Sequence, residues 1–473
     1  MGARHLGPGG ALAVVAACML LSTALPVASA SGSGIQWKAS DIFYGNPAVA
    51  ADGTVYVLMS KVYDDGTKSS TGLRAYDANG NRVWEVPVGG ACTDLVVDSN
   101  NTVYFVQYSR TTYDSDLVAV SRDGNVLWTI NSTAFFGNWY TSFGIPVVSA
   151  DGTLLVTSYN RFDVVNAEGR LLSFSPDGVL RWSIGTTNGL TTVYAGRNPS
   201  SLLYVASYSE VLGVQPDGTI TWALDLSDRD VAINRESAVV GRDGGLVMSL
   251  SYIDNRTESV NTSMPRLIAA VGTYGELSWC SYVFDMYSID YGCETMISGM
   301  TADDKIIVTR LEGTGTWWNY TSSGPELVEG SLPAAVSVLD PLGQVAWTTV
   351  LPEGHSLQYP VISTDSAVYV FTQDGSGQGH IYAYAAYNGT ALGNYSSPTE
   401  LWVSGQAGGT GDRLYYYEGS WKGAEEGVIS LICSIGLPPN PVEQPLDLAA
   451  ASIAWTSVIG LAAVSGYLAT RKR

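Results

Sequence analysis

Short apolar runs rich in β-branched and aromatic residues recur along the chain, each opened by a polar turn. They include Thr54-Val55-Tyr56-Val57, Thr102-Val103-Tyr104-Phe105-Val106, Thr153-Leu154-Leu155-Val156, Leu203-Tyr204-Val205, Leu246-Val247-Met248 and Lys305-Ile306-Ile307-Val308. Such runs are too short for amphipathic helices and have the composition of strands. A second β-rich run follows each, then a turn with Gly, then Trp four residues beyond that Gly. The clearest copy is Leu73-Arg74-Ala75-Tyr76-Asp77-Ala78-Asn79-Gly80-Asn81-Arg82-Val83-Trp84. The spacing returns at Gly124 and Trp128, Gly178 and Trp182, Gly218 and Trp222, Gly275 and Trp279, and Gly343 and Trp347. A seventh copy runs from Ala367-Val368-Tyr369-Val370 through His380-Ile381-Tyr382-Ala383-Tyr384 to Gly389 and takes Trp402, its turn expanded by nine residues. The eighth is split: Arg413-Leu414-Tyr415-Tyr416-Tyr417 and Gly427 to Ile432 give strands without a closing Trp, and Trp37 near the start fills that slot.

Successive Trp residues from Trp37 to Trp402 stand 40 to 68 residues apart, a period that suits four-stranded blades with variable loops. A last copy completed by the N-terminus is the mark of a ring. The expected fold is therefore all-β: an eight-bladed β-propeller of four-stranded antiparallel blades, closed by the N-terminal strand so that two open sheet edges disappear. The Trp residues are expected to be architectural, each burying its ring while its N–H finds a backbone partner that holds one blade against the next.

The segment Ala75-x-Asp77-x-x-Gly80-x-x-x-Trp84 resembles the tryptophan docking motif of the PQQ-like, eight-bladed quinoprotein propellers. That superfamily includes quinoprotein alcohol dehydrogenases and the non-enzymatic propeller lipoprotein of bacterial outer-membrane assembly. The resemblance extends over about residues 35 to 435 and implies the fold. Dehydrogenases of this kind carry an adjacent-cysteine ring, Ca²⁺ ligands and an Asp base. This chain has neither a Cys-Cys pair nor a Cys-x-x-Cys-His haem site, so the resemblance points to the non-enzymatic branch, with no cofactor and no metal expected.

The two ends read as addresses. Residues 1–30 have the pattern of a signal peptide: Arg4 and His5, an apolar run from Ala11 to Leu25, then Ala28-Ser29-Ala30. A second reading takes Val15-Ala16-Ala17-Cys18 as a lipobox. Residues 448–470 hold no charge over 23 positions, enough to cross a bilayer, and the basic tail Arg471-Lys472-Arg473 follows. A linker at 437–447 would join this transmembrane helix to a propeller ectodomain at 31–436, on the extracellular face of a single-pass protein whose C-terminus is cytoplasmic. A buried helix or a removed sorting tail is the other reading of 448–470. Seven sequons, at Asn100, Asn131, Asn255, Asn261, Asn319, Asn388 and Asn394, suit a glycoprotein exported to the cell surface. Four cysteines lie beyond the signal; Cys280 with Cys293 and Cys92 with Cys433 is the expected disulfide pairing, buried free thiols being the alternative.

Composition narrows function. With 46% apolar and 11% aromatic residues the chain is not disordered, and 44 acidic against 24 basic residues leave no basic surface for nucleic acid. His355 and His380 are the only histidines past the signal, which starves His-based triads and zinc sites of material. They are expected to be isolated polar residues. The pairs Asp64-Asp65, Asp303-Asp304 and Glu425-Glu426 sit in turn-like contexts, and Asp374-Gly375-Ser376-Gly377-Gln378-Gly379 reads as a hairpin tip. The most suggestive insertion runs from Cys280 to Ser331 and carries Trp317, Trp318 and Tyr320 around a sequon, a candidate binding loop for a protein or a carbohydrate. Trp139-Tyr140 and Trp421 could share its face. The expected function is a membrane-anchored binding or scaffolding module. The alternatives are an extracellular PQQ-dependent oxidoreductase and a carbohydrate-active propeller with an acidic pair at its axis.

Overall fold

The computed structural model describes the chain between residues 35 and 436, apart from short segments within that range. The expected signal peptide, linker, membrane span and basic tail lie outside the described residues. Among those residues no helix is long and apolar enough to cross a membrane. Among the described residues one short helix, Ser132–Phe136, interrupts antiparallel sheets that follow one another in propeller-like succession.

The third sheet shows the unit. Its strands Thr141–Val148, Leu154–Asn160, Gly169–Phe174 and Leu180–Thr186 pair as a simple meander in sequence order. The same meander recurs over 192–225, 231–281, 295–350 and 356–396. At the start, two such units run together, because Ala91 pairs with Tyr108 and Cys92 with Gln107 at the far end of strand Arg82–Cys92. At the finish, Trp402–Ser404, Arg413–Trp421 and Val428–Gly436 take Ile35–Asp41 as their fourth strand, Trp37 standing opposite Ser434. This is the pairing that the split repeat predicts.

Burial follows from stacking these sheets face to face. Second and third strands are covered on both sides, as in Leu154–Asn160 and Gly169–Phe174, whereas fourth strands such as Ile220–Asp225 alternate between solvent and neighbour. The former are continuous apolar runs for that reason. Cores lie between consecutive sheets: Tyr104, Val106 and Leu117 of one meet Phe143, Leu154 and Phe174 of the next, and the opposite face of that sheet packs Leu155 and Leu171 on Val205 and Val214.

Trp residues cross these seams. The Nε1–H of Trp84, Trp128, Trp182, Trp222, Trp279 and Trp347 donates to a carbonyl of the following repeat (Arg122, Pro176, Pro216, Thr273, Pro341 and Ala386), at 2.7 to 3.2 Å. Each indole lies flat on the turn glycine beyond that carbonyl, at Gly124, Gly178, Gly218, Gly275, Gly343 and Gly389. Those glycines have φ between 71° and 91°, and a Cβ on any of them would fall 2.6 to 2.8 Å from the ring. Glycine is thus required twice, for its conformation and for its bare face. Gly and Trp of one copy, spaced by four in sequence, are not partners; each glycine serves the Trp of the preceding copy. The expected role of Trp402 is also corrected. It lies in the first strand of the last sheet, and Gly393, opposite Ala383, occupies the place in the seventh sheet that Trp84 holds opposite Ala75. The turn at Gly389 is one residue longer than its counterparts, not nine, so no expansion carries a Trp to that place.

Two measurements probe this scaffold. Gly152 and Gly178 share a φ near 80°, but nothing stands within 4 Å of a Cβ at Gly152. Gly152→Ala should lose about 1 kcal/mol from backbone strain alone, and Gly178→Ala about 2 kcal/mol or more because the Trp128 ring must move. Equal urea midpoints for the two would show that the indole contact contributes nothing. The turns also make the fold acid-sensitive. The side chain and backbone N–H of Asn81 hold the Asp77 carboxyl below its usual 3.8, and the Thr219 backbone N–H does the same for Asp217. A depressed folded-state pKa gives stability that is complete above the unfolded value and is lost as pH falls through the folded one. Urea midpoints should therefore fall with acidification below about pH 4, and Asp77→Asn should lessen that fall.

Candidate functional site

Antiparallel strands reverse at every connection, so each sheet divides its turns between two ends. One end takes the first-to-second and third-to-fourth connections. It is built from one tight turn used repeatedly: residue i donates its N–H to the carbonyl of i+4 and accepts from the N–H of i+3, as in Asp77 to Asn81, Ser149 to Thr153, Gln215 to Thr219 and Asp340 to Gln344. The aspartates reinforce it, Asp77 Oδ1 accepting from the N–H of Asn79 and Asn81 and Asp340 Oδ1 from those of Leu342 and Gln344. The opposite end takes the second-to-third and sheet-to-sheet connections, and there the chain is irregular.

This irregular end collects the features singled out in the sequence. Trp139 and Tyr140, more than two-fifths exposed, lie in the link between the second and third sheets. Trp421 ends a second strand at the same end. The Trp317, Trp318 and Tyr320 segment is not a loop. It is strand Gly313–Thr321, which with Gly324–Leu332 is inserted between the second and third strands of the sixth unit and pairs with Ser288–Gly292, from the link between the fifth and sixth units, in a separate three-stranded sheet. A register that runs unbroken to Thr321 opposite Gly324 makes it a hairpin ribbon. Strand topology puts these segments at the same end of their respective sheets.

A cluster that sequence reasoning discounted also lies at this end. His355 precedes strand Ser356–Ser363, Asp374 opens the turn after Ala367–Gln373, and His380 is the second residue of Gly379–Ala385. The three strands are neighbours, with Leu357 opposite Thr372 and Thr372 opposite His380, so residues 25 positions apart meet. One ligand atom from each of His355, Asp374 and His380 lies within 4.8 Å of the others. His380 Nε2 is 3.1 Å from Asp374 Oδ2, its Nδ1 is 2.8 Å from Ser396 Oγ, and His355 Nδ1 is 3.1 Å from Thr372 Oγ1. Tyr382 stacks below His380 and brings its hydroxyl to 3.5 Å from His355 Nδ1. Tyr384 and Trp347 continue this aromatic column into the core between the sixth and seventh sheets.

The carboxylate is prepared by the tight turn of the other end, used here between second and third strands. Asp374 Oδ1 accepts from the N–H groups of Ser376 and Gln378 and from Ser376 Oγ, which leaves Oδ2 for the imidazole. The Ser376 hydroxyl foremost, then His380, holds the Asp374 carboxyl far below the usual range. Burial, with His380 alongside, lowers the pKa of His355 against the pull of Asp374. The group can hold a cation between two imidazoles and a carboxylate, or pass a proton along the exposed Ser396 hydroxyl, His380 and Asp374. The sequence held one signal for it: two histidines at the starts of first and third strands with an aspartate on the intervening turn must fall at one end of a meander.

The other expected sites are dispersed. Asn100 and Asn388 are exposed, and Asn394 is half-buried. Asn131 caps the helix at the Ala134 N–H while its amide donates to Asp116 Oδ1, and the next residue, Ser132, is buried. Asn319 lies on the ribbon, while Asn255 and Asn261 fall outside the described residues. The Cys280 to Cys293 bridge is not formed: Cys280 is a thiol that packs against the core between the fourth and fifth sheets, and burial raises its pKa. Cys293 lies outside the described residues. The expected bridge from Cys92 to Cys433 is not formed either: Cys92 is a buried thiol between the first two units, and Cys433 stands opposite Lys38 and Tyr416. Among the described residues no disulfide bond is present.

Among curated proteins no relative matches the chain. Of solved structures, quinohemoprotein alcohol dehydrogenase from Comamonas testosteroni is similar at 13% identity and a TM-score of 0.48, covering 85% of this chain and 76% of its own. BamB from Moraxella catarrhalis has the same identity, TM-score and share of this chain, with 98% of its own covered. The β-propeller domain of the trilobed protease from Pyrococcus furiosus is 10% identical, with a TM-score of 0.41 over 80% of this chain and 92% of its own. The family model described as outer membrane protein assembly factor BamB matches residues 25–192 and 69–252. The repeats over residues 25–252 are thus those of the PQQ-like β-propeller family.

Proposed function

We propose that this chain is an eight-bladed propeller that works as a binding or scaffolding module, outside the enzymatic members of its family, with a protein or a glycan as partner. The observation that carries the reading is the asymmetry of the two ends. One is a row of near-identical tight turns, while the other gathers the ribbon at Gly313–Leu332, Trp139, Tyr140 and Trp421. The inserted ribbon and the exposed Trp139 and Tyr140 stand at this end, and aromatic side chains dominate recognition surfaces; Tyr274 and Tyr387 are exposed on turns of the other end. A family model described as an assembly factor is consistent with contact to other proteins. The count of eight treats the first two merged units as separate blades and adds the last sheet completed by Ile35–Asp41.

The apolar stretch 448–470 with its basic flank supports anchorage at the extracellular face, and the acidic ectodomain supports a partner other than nucleic acid. Asn100 and Asn388, exposed on turns, are the sequons best placed for glycans.

Several outcomes test this reading. Trp139→Ala with Tyr140→Ala should weaken partner capture, scored by cross-linking on intact cells and by a glycan array, at least tenfold while leaving the melting temperature within about 2 °C. Unchanged capture by both methods would place the binding surface elsewhere. Added PQQ and Ca²⁺ should produce neither a quinone absorbance nor dye-linked oxidation, and either signal would restore the oxidoreductase. Removing residues 31–40 should lower the melting temperature, since it strips the fourth strand from the last sheet. Peptide mapping of the exported protein should find glycans at Asn100 and Asn388 and none at Asn131; modified Asn131 would contradict the cap described above.

A further inference from the structure

The geometry points to a divalent transition-metal site of the zinc type at His355, Asp374 and His380, independent of what the partner-binding face engages. Two imidazoles and one carboxylate are a borderline-soft ligand set that suits zinc and disfavours calcium or magnesium, which take oxygen donors. Zinc bonds of about 2.0–2.1 Å in a tetrahedron place neighbouring ligand atoms about 3.3 Å apart. His380 Nε2 and Asp374 Oδ2 already stand at 3.1 Å, and the three ligand atoms all lie within 4.8 Å of one another, so a small inward shift of His355 completes the group.

The surroundings have the form of an outer shell. His380 Nδ1 meets Ser396 Oγ and His355 Nδ1 meets Thr372 Oγ1, contacts that fix ring orientation and leave Nε2 of His380 for the ion. Asp374 Oδ1 is held by two backbone N–H groups and the Ser376 hydroxyl, so Oδ2 is aimed without freedom to turn away. Outer partners of this kind normally govern both ligand basicity and affinity. The hydroxyl–imidazole–carboxylate relay that the same atoms could form gives no role to His355, whose ring centroid is 4.8 Å from that of His380. Convergence of both rings is what an ion explains. A bound ion would join the start of the first strand to the hairpin of the second and third, tying the irregular end of the seventh sheet together.

Zinc chloride titrated into the purified full-length chain, followed by calorimetry and by thermal unfolding, tests the site. The expected result is one zinc per chain with a dissociation constant in the micromolar range or tighter, and a rise in melting temperature that EDTA reverses. His355→Ala and His380→Ala should each weaken zinc at least tenfold, and Ser396→Ala should weaken it by about tenfold through the ring it orients. His355→Ala is the more decisive variant because His355 is only half-buried; its melting temperature without zinc should match that of the unaltered chain. Calcium chloride should give neither heat nor stabilisation at this site. No saturable zinc binding, equal affinity in the His355→Ala chain, or calcium stabilisation that His355→Ala removes would each overturn the assignment.

Discussion

An indole laid on a bare glycine of the next repeat is the contact on which the rest of this fold depends. Each sheet can pair its own strands without help from its neighbours, but pairing says nothing about how sheets stack. The Trp ring supplies that information three times over: its face needs a glycine with positive φ, its N–H needs a carbonyl two or three residues earlier, and its own strand position is fixed by register, opposite Ala119 in the case of Trp128. A tyrosine behind several of the rings tightens the arrangement, with Tyr56, Tyr104 and Tyr204 centred 5.7 to 5.9 Å from Trp84, Trp128 and Trp222. Burial pushes the Tyr56 hydroxyl up to about 12, so these rings stay neutral in the seam.

The repeat was legible because strands of a meander are local: period-two runs, Asp turns and a Gly to Trp spacing all lie within a few dozen residues of each other. The N-terminal completion of the last sheet was legible too, since a missing Trp at one end and a spare one at the other are features of sequence alone. What escaped was partnership. Gly178 looks like the companion of Trp182, four positions away, yet it carries Trp128 from the copy before. Spacing constrains which residues share a strand–turn–strand unit, whereas docking is decided by how units stack. The reading of Trp402 failed for a related reason: the nearest Trp was assigned to a vacant slot that Gly393 fills.

The candidate site was hidden in the same way. His355 and His380 look solitary in the sequence because 25 residues separate them, and the loop before His380 looks like a solvent-exposed tip. Strand register cancels the separation, and the tip proves to be the same Asp turn found at the opposite end of other sheets. Moving that turn to the second-to-third connection aims a carboxylate, elsewhere occupied with backbone N–H groups, at an imidazole. The ribbon at Gly313–Leu332 was recognised as an insertion but not as paired strands, since Gly-rich and aromatic stretches carry little alternation.

Almost every pairing here joins strands adjacent in sequence, so most of the fold can form as soon as its residues are available. The pairing of Ile35 with Ile435 spans 400 residues. Loop-closure entropy rises only slowly with length, so this contact is thermodynamically affordable, but non-local contacts form slowly. During synthesis the first strand is made long before its partner, and until then it presents an unpaired edge. The newly made chain therefore passes through a nearly complete intermediate with one sheet edge open, and the time spent there sets how long the nascent protein is exposed to misassociation.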